Sequence, residues 1–161
     1  HAVQPASTVQ KYFVILPANA EKENRFFHSL LKIWNIARHS GSKIEFYGND
    51  STIEMIEKIR KKVNIDASFI IFNNWNDLTK IFAKMKDNDA LILFMADRSM
   101  MSYLPQMQYV PDYLNDHFKE RNFLLLFPAQ QTEVLYRKDT RNIGNANDFV
   151  EIGKIVGKLF K

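Results

Sequence analysis

Short apolar runs alternate along this chain with segments in which apolar residues recur every three or four positions. Residues 12–16 form a compact run of the first kind, stopped by Pro17. Over residues 21–39, Phe26, Phe27, Leu30, Leu31, Trp34 and Ala37 recur at helical spacing with polar residues between them, and Gly41 supplies a stop. The rhythm then repeats. Residues 43–47 predict a second strand, Gly48, Asn49 and Asp50 a turn, and Ile53, Ile56, Ile59 and Val63 a helix capped by Asp50 or Ser51. A third strand is predicted at 67–72, a turn at Asn73, Asn74 and Asn76, and a helix carrying Leu78, Ile81, Phe82 and Met85. After the polar break 87–89 comes a fourth strand at 90–95, then a long connection holding Pro105 and Pro111. A short helix around 112–118 leads to a fifth strand at 123–127, ended by Pro128. Residues 130–147 are polar and carry no clear period, whereas Phe149, Ile152, Ile155, Val156, Leu159 and Phe160 line one side of a final helix. Lys154, Lys158 and Lys161 lie opposite that stripe, an arrangement that suits packing on the chain's own sheet, with Gly153 and Gly157 permitting close approach, or an amphipathic surface for a membrane or partner.

Strands without polar alternation, separated by amphipathic helices, imply a parallel sheet covered on both faces. The expected fold is therefore α/β, a doubly wound five-stranded parallel sheet in a three-layer sandwich with strand order 3-2-1-4-5. Residues 1–10, with Pro5, Ala6, Ser7 and Thr8, read as a linker, and residues 11–161 as a single domain.

Composition narrows the class. Of the 161 residues, 46% are apolar and 25% charged, the balance of a folded globular chain rather than a disordered one. The longest apolar runs, 90–96 and 123–127, are far short of the ~20 residues of a membrane-spanning helix. With no cysteine there is no disulfide, thiolate ligand or cysteine nucleophile. The first residue is His1 and no signal segment follows it, which suggests a processed chain or a fragment of something longer. A net charge of +4 raises the question of an anionic partner. The densest basic stretch, however, is Lys58, Arg60, Lys61 and Lys62 at a predicted helix end, where cations complement the helix dipole. No aromatic platform is interleaved with it, so nucleic acid is not an expected partner.

In open parallel sheets, ligands sit beyond the carboxyl ends of the strands where the strand order reverses. Here that crevice lies between strands one and four, and its candidate residues are Pro17, Asn19, Asp97, Arg98, Ser99 and Ser102. Arg98, Ser99 and Ser102 offer hydrogen bonds. Yet neither loop carries the glycines that let backbone amides approach a phosphate. Asp97 and Arg98 also fit as exposed loop charges, with the serines satisfying the turn. His28 and His39 share a helix face but lie roughly 16 Å apart along its axis, too far for one metal ion. His117 sits where it would complement a helix C-terminus. No serine occupies a glycine-flanked nucleophile elbow, and the carboxylate pairs Glu54 with Glu57 and Asp87 with Asp89 read as solvated. No catalytic residue and no metal ligand is expected.

Four stretches carry a family resemblance. They are Ile15-Leu16-Pro17-Ala18-Asn19-Ala20-Glu21; Asp89-Ala90-Leu91-Ile92-Leu93; Arg98 with Ser102-Tyr103-Leu104-Pro105; and Phe123-Leu124-Leu125-Leu126-Phe127-Pro128 with Gln130. In order and spacing, over residues 11–130, they resemble the universal stress protein-like cytoplasmic C-terminal domain of bacterial sodium/proton antiporters. The resemblance implies a non-catalytic regulatory or dimerisation domain of a monovalent cation/proton antiporter. Such a domain would be homodimeric and tethered by its N-terminal linker on the cytoplasmic side of the inner membrane. Nucleotide-binding members of the wider family carry an aspartate in the first loop and a glycine-rich run after strand four. The matching positions here are Ala18 or Asn19 and the glycine-free stretch 98–102. No cofactor is therefore expected. The alternative is a stand-alone universal stress protein holding an adenine nucleotide or another small ligand in that crevice.

Overall fold

The computed structural model describes residues 8–63 and 65–128. The linker residues 1–7, Gln130, the polar stretch 130–147 and the final helix expected at 149–160 lie outside the described residues. The strands are β1 (Lys11–Ile15), β2 (Lys43–Gly48), β3 (Ala67–Ile71), β4 (Asp89–Phe94) and β5 (Asn122–Leu126). Four helices alternate with them, α1 (Phe26–Ser40), α2 (Asp50–Val63), α3 (Leu78–Phe82) and α4 (Val110–His117). All strand pairs are parallel and the order is β3-β2-β1-β4-β5. This is the doubly wound order predicted from the sequence, compatible with a Rossmann-like sheet.

Each sheet face has its own core, and the alternation of side chains along β1 shows the division. Val14 and Leu16 face Phe26, Leu30 and Trp34 of α1 and Ile56 of α2. Phe13 and Ile15 face Leu78 and Phe82 of α3 and Leu114 of α4. Parallel crossovers are right-handed, so helices change face where the chain reverses direction across the sheet, which happens at β1. β4 is buried along its whole length, as expected for a central strand covered on both sides.

Three local departures from the sequence pattern matter for the site. First, residues 21–39 are not one helix. Ala20–Lys22 form a 3-10 turn, Asn19 and Arg25 both adopt φ 65°, and α1 begins only at Phe26. Positive φ is rare outside glycine, and each such residue interrupts a right-handed helix. Second, α2 is capped by neither Asp50 nor Ser51. Asn49 Oδ1 accepts the Thr52 amide at 3.0 Å, while the Ser51 hydroxyl donates to Glu21. Third, α4 spans 110–117 rather than 112–118, is preceded by a 3-10 turn at Pro105–Gln108, and α3 ends before Met85.

β2 also holds a charged residue in its interior, Glu45. Glu45 accepts from Lys11 Nζ at 2.6 Å and from the Tyr47 hydroxyl at 2.9 Å, so its carboxylate is satisfied. Ahead of β1, Val9 is buried and its carbonyl accepts the Ser42 hydroxyl at 2.6 Å. The Gln10 amide donates to Asn88 at 2.8 Å, so these residues are bonded into the fold.

Candidate functional site

The register Ile15 against Leu93 brings the carboxyl ends of β1 and β4 side by side, so the two nominated loops are neighbours. Pro17 is buried and its carbonyl accepts the Ala20 amide at 3.2 Å, closing a tight turn. Asn19, in its left-handed conformation, receives Lys22 Nζ on Oδ1 at 2.9 Å and the Lys22 amide on its carbonyl at 3.0 Å. Asparagine tolerates this backbone better than most side chains. Its side chain thus holds the turn.

On the other side, Asp97, Arg98 and Ser99 are exposed. Asp97 Oδ1 accepts both the amide, at 2.9 Å, and the hydroxyl of Ser99. Such an Asx turn satisfies the loop from within. The Arg98 guanidinium donates to Gln108 Oε1 at 3.0 Å, and Gln108 in turn donates to the Tyr103 hydroxyl. Ser102 is buried, at 3% exposure, and its amide donates to Glu23 Oε1 at 2.7 Å. Of the six candidates, Asp97 and Ser99 are bonded to each other side chain to side chain, whereas Asn19 and Arg98 bond to Lys22 and Gln108.

A phosphate at this position would need free backbone N–H groups. The loop after β4 commits six of its amides, those of Ala96, Asp97, Ser99, Met100, Ser102 and Tyr103. Ala96 and Asp97 donate to the sulfurs of Met107 and Met100 at 3.3 and 3.2 Å, and Ser99 donates to Asp97 Oδ1. Met100 and Tyr103 close turns onto Asp97 and Met100 carbonyls, at 3.0 and 3.3 Å, and Ser102 is taken by Glu23. Glu23 adds more than a hydrogen-bond partner. Its carboxylate puts a negative charge between the two loops, where an incoming phosphate would meet repulsion.

Sequence reasoning missed both Glu23 and Glu21. In the linear pattern they look like acidic residues in the first turn of a helix, a common and innocuous placement. Instead Glu23 spans the crevice to Ser102, and Glu21, 9% exposed, accepts from Thr52 Oγ1 at 2.6 Å and Ser51 Oγ at 3.2 Å. The non-helical stretch from Asn19 to Arg25 aims these carboxylates at two different neighbours. The one available signal was Asn19, a residue prone to left-handed backbone just before the acidic pair.

Elsewhere among the described residues, burial shifts several titratable groups. Burial, followed by the Lys32 and Arg25 charges, holds the His28 imidazole below its ordinary range. Burial, then the hydrogen bond to Glu45 and its charge, pushes the Tyr47 phenol above its own. Both are neutral near pH 7. His39 Nδ1 lies 2.7 Å from the Asn35 carbonyl, and His117 packs on Tyr113 with ring centroids 4.4 Å apart. Among the described residues, no group of three or more His, Asp or Glu is arranged to hold a metal ion. No described helix is long and apolar enough to cross a membrane.

Comparison with protein-family models, curated proteins and solved structures gives no match.

Proposed function

We propose that this chain is a non-catalytic regulatory and dimerisation domain of a monovalent cation/proton antiporter. One observation supports the non-catalytic part above the others. The crevice that this fold ordinarily gives to a ligand is bridged by Glu23 and Ser102, and six amides of the loop after β4 are spent on internal bonds. The attachment to a transporter, and the cytoplasmic face of the inner membrane as its place, rest on the sequence resemblance of residues 11–130.

Self-association has a physical candidate in β5. Among the described residues it forms one edge of the sheet, and Leu124 in its centre is 44% exposed. An edge strand offers unpaired backbone groups to another chain, and an exposed leucine adds apolar area to that contact. In sedimentation velocity the full chain is expected to run as a dimer that dissociates on dilution, and Leu124→Lys as a monomer at the same concentrations. A wild-type chain that stays monomeric at the highest concentration overturns the dimerisation role.

A further inference from the structure

A groove of about 240 Å³ opens on the α3 and α4 face of the sheet, with Gln106 and Tyr109 contributed by the connection that follows β4. Trp75, Phe82 and Val110 are buried in its floor, and Tyr109 and Tyr113 stand one helical turn apart on its wall. Tyr109 is 71% exposed, an unusual place for a large aromatic ring on a small domain. Asn76, Thr79 and Gln106 supply the polar atoms of the lining, and none of the lining residues is charged.

Two polar atoms here are unsatisfied. Trp75 is 5% exposed and its indole Nε1 is buried without a hydrogen-bond partner, as is Gln106 Oε1. Gln106 Nε2 reaches Asn76 Oδ1 only at 3.5 Å, the outer limit of a hydrogen bond. Buried polar groups in native proteins are normally paired, because leaving one unpaired costs as much as the bond it lacks. Both residues line the groove, so each brings an unmet hydrogen-bond atom beside it.

The geometry points to a binding site for an uncharged planar heterocycle that presents a donor and an acceptor side by side, as nucleobases do. Planar rings stack on tyrosine and tryptophan faces, and this tolerates many ring types. A carboxamide such as Gln106 offers an N–H and a carbonyl in one plane, the complement of an adjacent donor and acceptor. The uncharged lining leaves no partner for a phosphate or carboxylate, so the ligand is neutral. The groove is smaller than the roughly 300–1,000 Å³ of drug-sized pockets, which limits the ligand to one or two rings. This inference does not depend on attachment to a transporter.

The test uses the full chain with Trp34→Phe, which leaves Trp75 as its single tryptophan, and follows fluorescence on titration with adenine, hypoxanthine, cytosine and uracil. At least one base is expected to give a saturable change, with AMP binding more weakly than adenine. Tyr109→Ala and Gln106→Leu, with unchanged circular dichroism, are each expected to weaken binding about tenfold or more, the typical weight of one stacking or carboxamide contact. Tyr109 is exposed, so its replacement leaves the fold intact even if Gln106→Leu does not. No saturable change with any of the bases overturns the inference. So does binding that both variants leave untouched, or cross-linking that places residues 149–160 in the groove.

Discussion

Replacing Phe94 with alanine is expected to lower stability by about 3–5 kcal/mol, the usual cost of removing a buried phenylalanine. Phe94 closes β4 at 1% exposure, and its ring meets that of Phe26 edge-on, with centroids 5.5 Å apart. Phe26 is fully buried and is the first residue of α1. This pair therefore fixes where the helix starts, next to the segment that places Glu21 and Glu23. Urea unfolding of the full chain checks the value through a lower midpoint at constant slope. A change within the roughly 0.5 kcal/mol typical of surface positions would contradict the packing described for this face.

The second large effect comes from a polar group. Glu21→Ala is expected to cost about 2–3 kcal/mol, because hydrogen bonds to a charged group are the stronger kind and Thr52, at 0% exposure, loses its hydroxyl acceptor. Its carboxylate also lies beside the first residues of α2, where the helix dipole favours negative charge. Glu21→Gln keeps an acceptor oxygen and is expected to lose less. A double-mutant cycle with Thr52→Val isolates the interaction, since the two single changes remove the same bond. Strictly additive losses would mean that Glu21 and Thr52 do not act on each other.

The contrast between these two residues shows what the sequence disclosed. Phe94 lies in a run of apolar residues too long to alternate, and this pattern alone predicts a central strand buried on both faces. The five strands, their order and the place of the crevice all follow from that kind of signal. Glu21 and Glu23 were illegible because their role depends on two positive φ angles, and periodicity says nothing about backbone handedness. The candidate loop residues follow β1 and β4 in the chain, but their bonds were not predictable from spacing. Arg98 reaches Gln108, ten residues on, and Ser102 reaches Glu23, seventy-nine residues back. The aromatic groove escaped notice for a related reason. Tyr109 and Tyr113 are visibly one turn apart, but Trp75 and Gln106 join them only through the packing of α3 beside α4.

Glu23, Ser102 and the loop's internal bonds bridge the crevice between β1 and β4, so no nucleotide is expected to bind there. Native mass spectrometry of the full chain, alone and with ATP, tests it most directly. The expected result is the bare protein at every ATP concentration, apart from weak adducts that rise without saturating. A single saturable ATP adduct, lost in Arg98→Ala and retained in Tyr109→Ala, would contradict the account and place the nucleotide in the crevice.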